Sequence, residues 1–200
     1  MKLDIGCGPF KQSGCLGVDL LRIPGVDVVA DATALPFAES SIEYVHSRST
    51  LEHIPALLTA IREFYRVCRD GATVELVLPH FSSYEYYRDP THLRSFSIQS
   101  FDYFDRARTA GNALPAYLPG VDLEVIERKL IWWDRWQFQS KSAWKRALLK
   151  ALTGLIEGLA NVKPFFCERF WCYYVGGFVL VSFRLRVHKP GRTIPATGAR

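Results

Sequence analysis

The strongest constraint on the fold is the stretch LDIGCGP at residues 3–9. A short apolar run carries one acid and ends in two glycines that are one residue apart. The apolar run predicts a buried parallel strand, and the glycines predict a tight turn at which a ligand can approach the backbone. A nicotinamide-binding motif would need a third glycine where Lys11 stands, so the sequence disfavours that cofactor.

Apolar runs and helical periodicity predict strands and helices that alternate along the chain. Strands are predicted at 2–5, 15–20, 26–30, 42–47, 73–78, 123–133 and 176–187. One helix is predicted from residue 54 to a C-cap at Asp70-Gly71, another over 97–108, and an amphipathic one over 144–160. This alternation indicates an α/β fold with a mainly parallel sheet.

Several motifs follow the first strand in a fixed order: an acid after the second run (Asp19), an acid after the third (Asp31), STLEHI at 49–54 and VCRDGA at 67–72. In order and spacing they resemble class I S-adenosylmethionine-dependent methyltransferases, specifically the type 11 methyltransferase family, over about residues 2–104. The resemblance implies a Rossmann-like sheet of seven strands with flanking helices, the last strand being antiparallel. Only residues 6–14 connect the first two strands, so we expect a fold shortened at its N-terminus.

The resemblance implies S-adenosylmethionine as the cofactor and assigns residues to it. Gly6 and Gly8 would let its methionine and ribose parts pass close to the main chain. Asp4 would hold the amino group, the alternative being a strand-end carboxylate bound to backbone amides. Asp19 would accept both ribose hydroxyls.

The adenine position of the family matches Asp31 and Ala32. The acid would accept a hydrogen bond from the exocyclic amine, and an adjacent amide would donate to the ring. Ser47 falls where the fourth strand ends, close to the expected methionine tail. Glu52 and His53 match a frequent Leu-Glu-His sequence, and we expect them to fix the loop before the next helix.

Candidate bases lie in the segment PHFSSYEYYRDPTH at 79–92. A base is needed only if the acceptor is protonated, because the sulfonium methyl is already activated. His80 directly follows the fifth strand and is the leading candidate, with His92 and Tyr84 as alternatives. Asp89 and His92 could also be a turn and a satisfied histidine. Two histidines and an acid could ligate a metal, but the aromatic surroundings and a donor that needs none favour a metal-free site.

Composition and charge limit the partners. A hydrophobic fraction of 48% and a charged fraction of 22% suit a soluble globular protein. Five cysteines without a Cys-x-x-Cys pair, and no visible signal segment, predict a cytoplasmic protein. Residues 1–105 carry a net charge of −5 and residues 106–200 one of +10. A basic half can face phosphate, an anionic membrane or nucleic acid, or be a solvated surface. No base-holding Asn-Pro-Pro-Tyr motif follows the fourth strand, so nucleic acid is disfavoured.

The sequence predicts one methyltransferase domain over 1–188, with a helical insertion at about 134–175 and a disordered tail at 189–200. In the amphipathic helix, apolar residues recur every three or four positions beside a cluster of lysines and arginines. This pattern fits a lid that packs its apolar stripe on the sheet or over the pocket, which we favour. It also fits an interfacial membrane helix, giving possible peripheral membrane contact through 132–160.

The predicted function is transfer of a methyl group from S-adenosylmethionine to a small-molecule, glycan or lipid-linked acceptor. One alternative is a non-catalytic cofactor-binding regulatory or scaffold protein, which the short first crossover makes credible. A less favoured alternative is an RNA methyltransferase. The sequence names neither the acceptor nor the oligomeric state.

Overall fold

The computed structural model describes residues 1–111, 114–133, 142–174 and 177–190. Seven strands form one sheet in the order β3-β2-β1-β4-β5-β7-β6. Strand β7 runs antiparallel to both neighbours, and the other pairs are parallel. The strands are β1 (Lys2–Ile5), β2 (Leu16–Asp19), β3 (Val28–Val29), β4 (Ile42–Arg48), β5 (Cys68–Pro79), β6 (Leu123–Ile131) and β7 (Leu180–Val187). The predicted fold class is confirmed.

Only one face of the sheet is covered by an apolar core. In β5 the even-numbered residues from Ala72 to Leu78 are buried, whereas Thr73, Glu75 and Val77 are only half-buried. Strands β4 and β7 alternate in the same way. Because successive strand residues point to opposite faces, the other face of the sheet is polar and partly open.

The first helix, α1 (Leu57–Val67), packs on the apolar face through Ala60, Ile61, Phe64 and Val67. The C-cap predicted at Asp70-Gly71 is wrong, because the backbone becomes extended at Cys68 and β5 begins there. Gly71 instead lies within the strand, with a φ of 73°.

The helix predicted at 97–108 is also wrong. The segment contains turns, a 3-10 helix at Asp102–Phe104 and the separate helix α3 (Arg106–Gly111). Asp105 ends the first and caps the second, since its Oδ1 accepts from the backbone N–H of Ala107 (3.0 Å). A shorter helix, α2 (Tyr84–Arg88), begins after Ser83, whose hydroxyl accepts from the N–H of Glu85.

Helix α4 (Ala143–Val162) turns its polar side towards the sheet. Asn161 pairs with the backbone of Leu130 through both Oδ1 (2.8 Å) and Nδ2 (2.9 Å). Glu157 accepts from the N–H of Trp132 (2.9 Å). Five residues of the predicted stripe are 43–66% exposed, namely Trp144, Leu148, Leu152, Leu155 and Leu159, and Ile156 is half-buried. The expectation that the stripe packs on the sheet is therefore wrong, and Val162 extends the exposed surface.

After α4 the chain continues as helical turns, α5 (Pro164–Phe166), a π-helical turn (Cys167–Trp171) and α6 (Cys172–Tyr174). Strand β7 then leads to Lys189, whose N–H donates to Asp70 Oδ1 (2.9 Å) and whose Nζ donates to the carbonyl of Tyr65 (2.6 Å). The disordered tail was predicted over 189–200; Lys189 is bonded to the fold, and 191–200 lie outside the described residues.

The orientation of α4 is testable by substitution. We expect Asn161→Ala to lower the free energy of unfolding by about 1–3 kcal/mol, because it leaves the N–H and carbonyl of Leu130 without their partner. The matched control is Leu159→Ala, two positions earlier on the exposed stripe, which should change it by less than about 0.5 kcal/mol. Urea unfolding measures both. A larger loss for Leu159→Ala would mean that the stripe is buried in solution.

Candidate functional site

A cavity of about 640 Å³ opens where β1, β4 and β5 end. The strand order reverses between β1 and β4, and in open α/β sheets ligands bind at this point beyond the carboxyl ends of the strands. The volume is that of a small-molecule site. Residues of the first loop and of the loop after β4 line it, including Asp4, Gly6, Cys7, Ser49, Glu52 and His53.

Of the two glycines of the first loop, Gly6 lines this cavity and Gly8 lies just beyond the lining. Gly6 has a φ of 71°, and a Cβ there would lie 2.0 Å from Thr50 Oγ1, so no side chain fits. Gly8 has a φ of 53°, and a Cβ there would meet nothing within 4 Å. The backbone at Gly8 therefore borders open space that a ligand can occupy, which fits the approach of a nucleotide cofactor.

The acids of the first two strands hold the loop in place. Asp4 Oδ2 accepts from the N–H of Gln12 (2.7 Å), and Oδ1 is 2.6 Å from His46 Nδ1. Asp19 Oδ2 accepts from the N–H of Gly8 (2.9 Å) and therefore touches the loop itself. Burial and these two acids raise the pKa of the Cys7 thiol to about 11, which keeps it uncharged inside the cavity.

Five of the seven sequence-predicted cofactor residues do not line the cavity: Gly8, Asp19, Asp31, Ala32 and Ser47. Asp31 forms a local turn, accepting from both the N–H and the hydroxyl of Thr33 (2.7 Å each). Ala32 packs against the core. Ser47 is fully buried on the apolar face, since its neighbours His46 and Arg48 point into the cavity and strand side chains alternate. Asp19 is hydrogen-bonded to Gly8 in the loop that follows the lining residues Gly6 and Cys7.

His80 is placed in a structural network rather than in the cavity wall. It has no exposed surface, and its Nε2 donates to Glu168 Oε1 (3.0 Å) while Nδ1 lies 2.6 Å from Ser82 Oγ. Glu168 also accepts from the N–H of Ile98 (2.7 Å) and the hydroxyl of Ser97 (2.9 Å). With both ring nitrogens engaged, this geometry does not support His80 as the base. Tyr84 is 60% exposed and does not line the cavity either.

His92 does line the cavity, together with Glu52 and His53. His92 Nε2 is 3.9 Å from Glu52 Oε1 and 3.9 Å from Asp89 Oδ2. The rings of His53 and His92 are in edge contact, with centroids 4.6 Å apart. Burial and the neighbouring His92 lower the pKa of His53. Sequence reasoning favoured a structural role for Glu52 and His53 over catalysis by His53, although their place in the loop after β4 was a signal for the site.

The segment that carries His92 is tied to the loop after β4. The N–H of Leu93 donates to the carbonyl of Glu52 (2.9 Å). Arg94 donates to the carbonyls of Leu51 (3.1 Å) and Pro55 (3.2 Å), and also to that of Ile54. These bonds fix His92 beside Glu52 and His53.

A larger cavity of about 1380 Å³ adjoins the first. Its floor is the polar face of β4, β5, β6 and β7, and its other wall is the inner side of α4 with Arg146 and Lys150. The two cavities have Phe10, His46, Arg48 and Leu180 in common. Sequence reasoning missed this cavity because it depends on the orientation of α4.

Comparison with known proteins now identifies the fold. The family model of a methyltransferase domain matches residues 18–76, from β2 into β5. The predicted resemblance is confirmed. Solved structures of the class I methyltransferase fold align over nearly the whole chain. S-adenosylmethionine is the cofactor that the family and these structures support. No curated protein matches the sequence.

Three structural neighbours of this methyltransferase fold illustrate the match. The YcgJ protein from Bacillus subtilis is 20% identical with a TM-score of 0.51, covering 95% of this chain and 92% of its own. A SAM dependent methyltransferase from Archaeoglobus fulgidus is 17% identical with a TM-score of 0.51, covering 92% and 85%. Phosphoethanolamine N-methyltransferase 2 from Haemonchus contortus, in complex with S-adenosyl-L-methionine, is 16% identical with a TM-score of 0.52, covering 94% and 48%. At these identities the likeness shows the fold alone.

The network around Glu168 predicts a pH-dependent stability. Burial raises the pKa of Glu168, but the hydrogen bonds from His80, Ile98 and Ser97 outweigh it and hold the pKa below its usual value of 4.5. A carboxyl with a lowered folded pKa stabilises the protein fully above its unfolded pKa, and this stabilisation is lost as the pH falls through the folded pKa.

We therefore expect Glu168→Gln to lower the free energy of unfolding by about 1.5–3 kcal/mol at pH 7, the range for hydrogen bonds to a charged group. The difference in unfolding free energy between this variant and the unmodified protein should shrink below about pH 4.5. Urea unfolding at several pH values measures it, with the exposed Glu39→Gln as the control. A difference that is constant with pH would show that Glu168 is not charged in the folded protein.

Proposed function

We propose that the protein is an S-adenosylmethionine-dependent methyltransferase whose acceptor occupies the larger cavity. The observation that supports this most directly is the junction of the two cavities at Phe10, His46, Arg48 and Leu180. A cofactor in the smaller cavity beside Gly6 and Gly8 would face an acceptor that approaches along the polar face of the sheet. Such an arrangement supplies the proximity on which methyl transfer chiefly depends.

The bound cofactor supplies an activated sulfonium methyl, and the protein contributes position and environment. Gly6 and Gly8 leave room for it, and Asp19 fixes the backbone of Gly8. By resemblance to the family, the Asp19 carboxylate also accepts the ribose hydroxyls. Each of its oxygens already accepts one backbone N–H, from Gly8 or Leu21, and keeps capacity for a second bond.

The lining of the larger cavity favours a polar acceptor of the glycan type or a lipid-linked head group. Arg146 and Lys150 of α4 face Glu75, Glu127 and other charged groups of the sheet, and Trp133 adds an aromatic surface. Hydroxyl-rich acceptors use such hydrogen-bonding groups, whereas an apolar acceptor would leave them without solvent or partner. The reacting atom of the acceptor would extend from the larger cavity into the smaller one, beside Glu52, His53 and His92, and would lose its proton to water or to a group bound there.

The cofactor site yields a direct prediction. We expect Asp19→Ala to weaken S-adenosylmethionine binding by about 1.5–3 kcal/mol, because a charged hydrogen-bond acceptor is lost and the loop at Gly8 is released. The matched control is Asp70→Ala at the opposite end of the sheet, where the carboxylate accepts a single backbone N–H. Calorimetry measures both affinities. Unchanged affinity in a folded Asp19→Ala protein would exclude Asp19 from the cofactor site.

Turnover separates the proposed enzyme from its alternatives. Formation of S-adenosylhomocysteine is measured with fractionated glycan, lipid-linked and small polar acceptors, and with RNA. Product with a glycan or lipid-linked fraction supports the proposal. Cofactor binding without turnover on any fraction supports the alternative, a non-catalytic cofactor-binding protein. Turnover on RNA alone would mean that the larger cavity takes a nucleic-acid acceptor.

The exposed side of α4 supports a second proposal, that the enzyme is cytoplasmic and docks peripherally on an anionic membrane. The apolar stripe from Trp144 to Val162 faces outward, and aromatic side chains of 164–174 extend it. Those with more than half of their surface exposed are Phe166, Phe170, Tyr173 and Tyr174. All five cysteines are free thiols, as a reducing compartment requires.

Charge favours an anionic lipid surface as the occupant of this face. Residues 142–174 contain two acids, Glu157 and Glu168, and both are hydrogen-bonded towards the interior. The basic residues Lys145, Lys163 and Arg169 are exposed beside the stripe, and Lys145 Nζ lies 5.4 Å from the centre of the Trp144 ring. An apolar face flanked by basic residues is typical of interfacial helices. None of the described helices is long and apolar enough to cross a membrane.

Vesicle co-sedimentation tests the membrane proposal. We expect binding to vesicles that contain phosphatidylglycerol and not to pure phosphatidylcholine. The pair Lys145→Glu and Arg169→Glu should weaken binding by more than about tenfold, since each basic residue near an anionic surface contributes about 1 kcal/mol. The matched control is Arg62→Glu with Arg186→Glu, which are exposed on other elements.

Two outcomes would contradict the membrane proposal. One is an equal loss in the control pair, which would indicate unspecific charge attraction. The other is a dimer in light scattering that dissociates on Leu148→Ser with Leu155→Ser, without any vesicle binding. In that case a second copy of the chain would cover the stripe.

A further inference from the structure

Three potential metal ligands converge at the wall of the smaller cavity. Glu52 and His53 lie in the loop after β4, and His92 lies beyond α2. One ligand atom of each lies within 4.8 Å of the others. Metal bonds of about 2.0–2.2 Å hold opposite ligand atoms up to about 4.4 Å apart, so small side-chain rotations would bring all three onto one ion.

The hydrogen bonds of both histidines leave the same nitrogen available. The Thr91 hydroxyl donates to Asp89 Oδ1 (2.6 Å), so its oxygen accepts from His53 Nδ1 (2.9 Å). His92 Nδ1 lies 3.0 Å from the carbonyl of Tyr86, which can only accept. Each Nδ1 therefore carries the hydrogen, and each Nε2 presents its lone pair. Histidines that ligate metals are oriented in this way by an oxygen on the other nitrogen.

Glu52 is the observation that calls for a cation. Its side chain is fully buried, and neither carboxylate oxygen has a hydrogen-bond partner among the described residues. A buried carboxylate without a partner is costly unless it binds a proton or a metal ion.

We propose that Glu52, His53 and His92 bind a divalent transition-metal ion at the wall of the cofactor cavity. Two imidazoles and one carboxylate suit zinc, manganese, iron or cobalt, whereas magnesium and calcium prefer oxygen ligands alone. The site faces the cavity, so positions on the ion stay open for water or an acceptor. Asp89 Oδ2, 3.9 Å from His92 Nε2, is a further oxygen within reach.

The aromatic surroundings, which favoured a metal-free site in the sequence, orient the ligands instead of excluding an ion. The ring of Tyr86 stacks on His92, with centroids 5.8 Å apart. The carbonyl of the same residue accepts the hydrogen of His92 Nδ1. The cluster also differs from the expected set, because His80 is bonded to Glu168 and Glu52 and His53 take its place.

The site deepens the proposed function, and its role in methyl transfer rests on that function. An ion here would bind an acceptor through oxygen and lower the pKa of that hydroxyl, whose proton leaves to water. The acceptor oxygen then forms the bond to the methyl carbon as the carbon–sulfur bond breaks, leaving a neutral thioether. The acceptor class is therefore a hydroxyl compound that chelates or coordinates a metal.

The ion itself is tested on the protein alone, without cofactor or acceptor. After removal of any affinity tag and dialysis against chelator, calorimetry with Zn²⁺ and Mn²⁺ should show one site, with binding by Mg²⁺ at least about tenfold weaker. The Co²⁺ form should lack a thiolate charge-transfer band, which excludes Cys7. Glu52→Gln should abolish the site without lowering the Tm of the metal-free protein, because it removes a buried charge.

Two further variants complete the test. Thr91→Val removes the oxygen that orients His53, together with its hydroxyl bond to Asp89, and should weaken binding by about 10–100-fold. The matched control is His188→Gln, since His188 forms a His–Glu pair with Glu124 on the far side of the sheet (2.6 Å). The proposal is overturned if Glu52→Gln binds the metal as tightly as the unmodified protein, or if His188→Gln loses as much metal affinity as Thr91→Val. If metal binds but no acceptor is methylated, the site stands and the proposed function fails; turnover that persists unchanged in chelator removes the ion from the reaction.

Discussion

The rest of the structure depends on a sheet that buries only one of its faces in an apolar core. The apolar face holds α1 and the segment 96–104, with Phe64, Phe101 and Phe183 in its centre. Between β1 and β4 the described chain forms no helix, so no helix from that region covers the other face. That face consequently carries charged and polar side chains, as an antiparallel sheet open to solvent would. Glu75 joins Tyr44 (2.6 Å) and Arg184 (2.8 Å) across it.

This polar face explains why α4 is turned the opposite way from an ordinary surface helix. A helix normally buries its apolar stripe against a core. In the described part of the chain, the sheet face that the apolar core leaves free is polar. An apolar stripe packed on it would leave buried charges without partners. Glu157 and Asn161 bind the backbone of β6 instead, and the stripe is left for another surface. The large cavity and the exposed stripe are thus two results of one constraint.

The sequence predicted those features that follow from local pattern. The strand and glycine turn at 2–8 and the strand-forming runs were readable because they depend on periodicity, whereas the seven-stranded fold came with the family resemblance. The face of the sheet to which each side chain points could not be read from the sequence. Ser47 and His46 differ by one residue and face opposite sides of the sheet. His80 and His92 look equivalent in sequence, yet a glutamate 88 positions away binds one and leaves the other in the cavity wall.

The loop after β4 and the segment that carries His92 are joined through backbone hydrogen bonds rather than through a ligand. Arg94 binds the carbonyls of Leu51 and Pro55, and Leu93 binds that of Glu52, so the cluster is assembled when the chain folds. Folding therefore provides the entropic cost of ordering Glu52 and His92 before any ligand binds. A preassembled cluster with one buried, unpartnered carboxylate is poised to bind a cation, because binding removes a desolvation cost already present and adds little ordering of its own.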